Sequence, residues 1–73
     1  MHVQIVMDHT GDTRHHFDPN DELAVAESRK RFQELTDAGY TAAKRTGKGT
    51  SEVIRDFDPT AREMLFVPRL VGG

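Results

Sequence analysis

The chain begins with alternating apolar and polar residues, a pattern that predicts a β-strand with one buried face. Val3, Ile5 and Met7 fall at every second position, and side chains two residues apart lie on the same side of a strand. We therefore expect these three side chains to face the core. Gly11 lies in the turn that follows, where a residue without Cβ adopts positive φ at little cost. A second strand over about residues 13–17 then completes an antiparallel hairpin.

One amphipathic helix follows the hairpin. We expect Asp18 to cap its first N–H groups and Pro19 to occupy the first helical position, with the helix running to about Asp37. Gly39 then closes the helix in a left-handed conformation, and Tyr40 folds back onto the last turn. At about 100° per residue, the residues expected on the buried arc are Ala24, Val25, Ser28, Phe32, Leu35 and Thr36.

The rest of the chain predicts two or three more strands. Residues 40–45 and 51–57 form strands separated by a turn over residues 46–49, and residues 58–61 make a second turn. The apolar run at residues 63–67 suits a central strand buried on both faces, which Pro68 ends because proline donates no ladder hydrogen bond.

The order of these elements is ββα followed by strands, which predicts an α+β fold with one helix packed across a single sheet. If the last strand lies beside the first, the two are parallel, because the long connection that holds the helix joins them. This arrangement is a β-grasp, with a mixed sheet of four or five strands. We expect residues 1–68 to form the domain and residues 69–73 a flexible C-terminal tail.

Composition excludes several classes of function. The chain has 73 residues, of which 36% are hydrophobic, with no Cys and a net charge of −2. The lack of Cys excludes thiol catalysis, zinc–thiolate sites and disulfides, and it suits a reducing compartment, so we expect a cytoplasmic protein. The longest apolar stretch is far shorter than the ~20 residues that span a bilayer. The acidic balance disfavours phosphate backbones, so we expect neither membrane nor nucleic acid as a partner.

No catalytic constellation is visible. His15 and His16 point to opposite faces of a strand, so a metal site would have to join His9 with one of them across the hairpin, and no Asp or Glu at ligand spacing supports it. Residues 46–50 partly resemble a phosphate-binding loop, but Gly49 stands where that motif has Ser or Thr, which favours a hairpin turn. We expect a chain that is not an enzyme and holds no metal or cofactor.

The Gly72-Gly73 pair is the feature that most suggests a function. Because glycine lacks Cβ, a carboxylate on Gly73 would project on a thin stalk that can thread a narrow enzyme channel. Such a carboxylate suits adenylation by ATP and transfer to a sulfur or amine nucleophile, chemistry in which the small protein is the substrate. The alternative is a frayed end with no role.

Two parts of the chain resemble ubiquitin-like β-grasp proteins. Thr10-Gly11-Asp12-Thr13 and Asp18-Pro19-Asn20-Asp21 are similar to the hairpin turn and the helix start of ubiquitin. Residues 64–73 are similar to the ubiquitin ending through Val67, Arg69, Leu70 and the diglycine, and to the ending of the molybdopterin sulfur carriers through Phe66, Pro68 and the diglycine. The segment after the helix is shorter than in ubiquitin, and Pro68 and Val71 differ from the ubiquitin tail.

The resemblance implies a ubiquitin-like protein modifier. An activating enzyme that uses ATP would adenylate its terminal glycine. A conjugating enzyme would pass it through thioesters to amines of target proteins, and a deconjugating protease would release it. The residues to which the resemblance assigns roles are Gly72 and Gly73 in activation, Arg69, Leu70 and Val71 in contact with the activating enzyme, and Val67 and Leu65 in an exposed patch that binds partners.

Two other functions stay open. Phe66 and Pro68 favour a sulfur carrier, which would receive a thiocarboxylate on Gly73 instead of forming an isopeptide bond. A non-conjugated β-grasp interaction module, in which the diglycine is incidental, is the third. Deletion of Gly72 and Gly73 separates this third function from the other two, because only the interaction module would keep its activity.

Overall fold

The computed structural model describes residues 1–68, in which five strands form a mixed sheet and one helix packs across it. The sheet order is β2-β1-β5-β3-β4, and only the central pair β1 and β5 is parallel. This order confirms the predicted α+β, β-grasp-like arrangement with the last strand beside the first. The elements are β1 (His2–Asp8), β2 (Gly11–Phe17), α1 (Glu22–Asp37), β3 (Tyr40–Gly47), β4 (Thr50–Ile54) and β5 (Glu63–Pro68).

The start of α1 lies later than predicted. Asp21 is the N-cap, and its carboxylate accepts hydrogen bonds from two N–H groups of the first turn. The Asp18 carboxylate accepts from the N–H of Asn20, and the Asp18 carbonyl oxygen accepts from the N–H of Asp21. Asp18 and Pro19 therefore belong to a turn that redirects the chain from β2 across the sheet before the helix begins. The other end agrees with the prediction, since Gly39 has a φ of +100°.

The core lies between α1 and the sheet and is mostly aromatic. Phe32 of α1 and Met64 and Phe66 of β5 are completely buried. The Phe32 ring meets the Phe66 ring edge-on, with ring centroids 5.7 Å apart. The predicted buried arc of α1 is confirmed at Ser28 and Phe32, which are buried, and at three residues packed against the core, which are Ala24, Val25 and Leu35.

The side of β1 that meets α1 is not the predicted one, although Ile5 is buried as predicted, with 5% of its surface exposed. Gln4 faces α1, because its Nε2 donates to the Ser28 carbonyl oxygen at 3.0 Å, and Val6 on the same side packs on the core. The Gln4 Oε1 also accepts from Arg31 Nη1 at 2.9 Å. A glutamine can be buried here because both ends of its amide have partners. The side chains that consequently lie on the face away from α1 are Val3, Ile5 and Met7.

The hairpin of β3 and β4 closes more tightly than predicted. Its turn holds only Lys48 and Gly49, with Gly49 at a φ of +78°, and a bulge between Arg45 and Gly47 adjusts the register. The predicted turn over residues 46–49 is therefore too long, although the hairpin itself is confirmed.

Two predictions about the last strands are corrected. β4 ends at Ile54, so Phe57 lies in the connection to β5 rather than in a strand, with its side chain in the core. β5 is central, but only its side toward α1 is fully buried, because Leu65 is half-buried and Val67 is 40% exposed. Within the described residues, the helix is neither long nor apolar enough to span a membrane.

Candidate functional site

The predicted tail lies beyond the described part of the chain. Arg69, Leu70, Val71, Gly72 and Gly73 fall outside it, so their roles stay predictions. The structure does place the residue before them. Pro68 ends the central strand β5 and is opposite Tyr40 at the start of β3. Because β5 runs parallel to β1, the chain continues from the end of the sheet that carries the turn between β1 and β2.

The two predicted patch residues of β5 lie on the sheet face away from α1. Leu65 has Ile5 of β1 on one side and Ala43 of β3 on the other. Val67 lies opposite Thr41 of β3 and is 40% exposed. The structure therefore brings Leu65 and Val67 to one accessible surface, next to the end of β5.

These two residues belong to a larger apolar surface, which we call the open-face patch. At one register level the row runs from Ile5 through Leu65 and Ala43 to Val53 of β4, which is 67% exposed. The sequence analysis did not predict Val3 and Met7 as part of this surface, because it assigned them to the core together with Ile5. The alternation of apolar residues in β1 correctly indicated that they share one side of the strand, but that side was assigned to α1 when it lies on the opposite face of the sheet. Ile5 lies on this face but is only 5% exposed, so the open-face patch consists of Val3, Met7, Ala43, Val53, Leu65 and Val67.

Ion pairs border the open-face patch on two sides. On β2, Arg14 Nε lies 3.5 Å from an Asp12 carboxylate oxygen, and between β3 and β5, Arg45 Nε lies 3.1 Å from a Glu63 carboxylate oxygen. Both pairs are substantially exposed, so each contributes little to stability. An apolar centre with a charge-balanced polar rim has the composition of a protein–protein contact surface.

The face toward α1 holds a polar contact between sheet and helix. His15 of β2 pairs with Gln4 and is half-buried beside Arg31. Burial lowers the pKa of His15, and the charge of Arg31 lowers it further. His16 points to the other face, as predicted. Within residues 1–68, no group of three or more His, Asp or Glu side chains is arranged to hold a metal ion.

Asp58 fixes the turn that leads into β5. Its carboxylate accepts from the hydroxyl and the N–H of Thr60 and from Lys44 Nζ at 2.9 Å. The hydroxyl of Thr60, then Lys44, then the N–H of Thr60 lower the pKa of Asp58 to about 2, and the same contact raises the pKa of Lys44. Asp8 and Thr10 repeat this Asp-x-Thr turn before β2, where the Thr10 hydroxyl and N–H lower the pKa of Asp8.

Comparisons with known proteins find no relative. A scan against protein-family models finds no match, and searches of the curated proteins and of the solved structures find none either. The functional proposal below therefore rests on the residues of this chain and their arrangement.

Proposed function

We propose that this chain is a ubiquitin-like protein modifier. An activating enzyme adenylates the Gly73 carboxyl group with ATP, and the activated glycine is then joined through an isopeptide bond to an amine of a target protein. The proposal requires a free carboxylate on Gly73, either as synthesised or after processing of a longer precursor. The chain itself is the substrate, and ATP is the cofactor of the enzyme that activates it.

The observation that carries the proposal is a diglycine motif four residues after Pro68 in the sequence of a β-grasp-like domain, whose central strand β5 also contributes to an open apolar face. β5 is held by strands on both sides, and Met64 and Phe66 anchor it in the core. A firmly held strand keeps Pro68 in a constant position relative to the open-face patch. An enzyme that binds this face would therefore select the protein and meet the start of the tail at a fixed point, five residues before the end of the chain.

The sulfur carrier is the second candidate, and Phe66 and Pro68 are its support. The Phe66 side chain is completely buried against Phe32. Packing in the core is therefore a sufficient reason for an aromatic residue at this position. The Phe-x-Pro motif consequently carries less weight for sulfur transfer, and we place the modifier first.

The test is a search for the remnant that conjugation leaves on target lysines. Trypsin cuts after Arg69, so a conjugated lysine would carry Leu-Val-Gly-Gly on its side chain. The chain is expressed with an N-terminal tag in the cell that makes it, and tagged species are purified under denaturing conditions and digested. We expect the remnant with the natural chain and none after deletion of Gly72 and Gly73.

A matched control ties the remnant to this chain. In Val71→Ile the remnant must become heavier by one methylene group, because Val71 lies inside it. If the remnant is absent and the intact protein shows replacement of a terminal oxygen by sulfur, the chain is a sulfur carrier. If both signatures are absent while the free protein is abundant, the modifier proposal is wrong and the interaction module remains.

A further inference from the structure

A groove rich in positive charge lies at the end of the sheet opposite Pro68, where β3 ends and β5 begins. It has a volume of about 440 Å³, and we call it the basic groove. A neighbouring cavity of about 370 Å³ shares Arg45, Thr46 and Arg62 with it and contains the pair of Lys44 and Asp58. The residues that line the basic groove are Arg45, Thr46, Gly47, Lys48, Arg62 and Glu63.

The charges of the basic groove do not balance. Its carboxylate, on Glu63, is already paired with Arg45 through two contacts of 3.1 and 3.2 Å. Lys48 and Arg62 have no ionic partner among residues 1–68. The whole chain has a net charge of −2, so this excess of positive charge is local and opposite in sign to the rest of the molecule.

The backbone at both Lys48 and Arg62 is fixed by neighbouring hydrogen bonds. Lys48 lies in the tight turn between β3 and β4, where the hydroxyl groups of Thr46 and Thr50 are 3.0 Å apart across the strands. The carbonyl oxygen of Arg62 accepts from the N–H of Val3 at 2.9 Å, which ties the residue before β5 to β1. Two exposed positive side chains on firmly held backbone, at the walls of one groove, suit a ligand with two separated negative groups.

We propose that the basic groove binds an extended acidic peptide segment of a partner protein, with two carboxylates on Lys48 and Arg62. The six lining residues include no aromatic side chain on which a base could stack. Glu52 of the neighbouring cavity has no ionic partner among residues 1–68 and would repel a continuous phosphate backbone. An acidic peptide avoids this repulsion because its carboxylates can be spaced between neutral residues.

The test mixes the full chain with a fluorescein-labelled peptide of alternating Glu and Ser. Fluorescence anisotropy measures binding of the peptide at low and at physiological salt concentration. We expect the peptide to bind, with affinity falling as salt increases. Reversing both cations in the double variant Lys48→Glu/Arg62→Glu should weaken binding by about tenfold or more. Both residues are exposed, so the variant should keep its fold, which circular dichroism checks.

Lys30→Glu/Arg55→Glu is the matched control, because it changes the net charge equally at two exposed residues outside the basic groove. This variant should retain most of the affinity, and amide NMR shifts on peptide addition should concentrate in residues 45–50 and 62–63. Equal weakening in both double variants, shifts elsewhere, or no binding would overturn the proposal. Tighter binding of a thymidine oligonucleotide than of the peptide would overturn it in favour of a nucleic-acid site.

Discussion

Substitution of Phe57 tests how this small domain is held together. Phe57 lies in the connection between β4 and β5, outside any strand, and its ring packs in the core. The side chain is only 8% exposed. Its ring centroid lies 6.0 Å from that of Phe32 and 6.5 Å from that of Phe17. On the outer side, the guanidinium carbon of Arg29 lies 5.0 Å from the centroid. Phe57 therefore joins α1, β2 and the connection to β5 in one cluster.

Replacing Phe57 by Ala should lower the free energy of unfolding by about 3 kcal/mol. Large-to-small changes at buried phenylalanine cost about 3–5 kcal/mol, and we expect the low end because a connection can shift to fill part of the cavity. A core of this size supplies about 3–5 kcal/mol in total. This loss would leave about 0–2 kcal/mol, so the Phe57→Ala chain should be marginally stable, with a detectable unfolded fraction at body temperature.

Urea denaturation followed by far-ultraviolet circular dichroism measures this loss. Phe57→Leu is the matched control, and it should cost about 1 kcal/mol because it keeps most of the buried volume. A double-mutant cycle with Arg29→Met isolates the cation–π contact, which we expect to contribute about 0.5–1 kcal/mol. A loss below about 1 kcal/mol in Phe57→Ala, with an unchanged denaturant slope, would refute the role of Phe57 in the core.

Two further predictions concern the turn before β5 and the open-face patch. Asp58→Asn should cost about 1 kcal/mol at neutral pH, a value reduced for the 25% exposure of the carboxylate. Because the folded pKa of about 2 lies below the ordinary 3.8, this contribution is complete above about pH 4 and lost as the pH falls through about 2. Urea midpoints across that range test it, and a difference independent of pH would contradict it. Val67→Asp should reduce the yield of Leu-Val-Gly-Gly conjugates, whereas Leu23→Asp, at a 77% exposed position on α1, should not; equal yields would remove the open-face patch from the modifier proposal.

Local sequence was sufficient for the identity and order of the elements. Alternation predicted β1, the buried arc predicted the packing face of α1, and the apolar run before Pro68 predicted a central last strand. Each of these signals depends on residues close together in the chain, so each is readable without knowledge of the fold. The position of Leu65 and Val67 on one strand, two residues apart and therefore on one face, was readable in the same way.

Only the tertiary structure decided which face of β1 meets α1. The alternation of apolar and polar residues shows that Val3 and Ile5 lie on the same side of β1, but it does not show which side meets α1. Gln4 faces the helix because Ser28 and Arg31 satisfy its amide, and those partners lie more than twenty residues away in the chain. The basic groove depends on tertiary structure for the same reason, since pairing of β3 with β5 brings Lys48 near Arg62. Contacts between residues far apart in the chain form only when the strands pair, so local sequence patterns do not predict them.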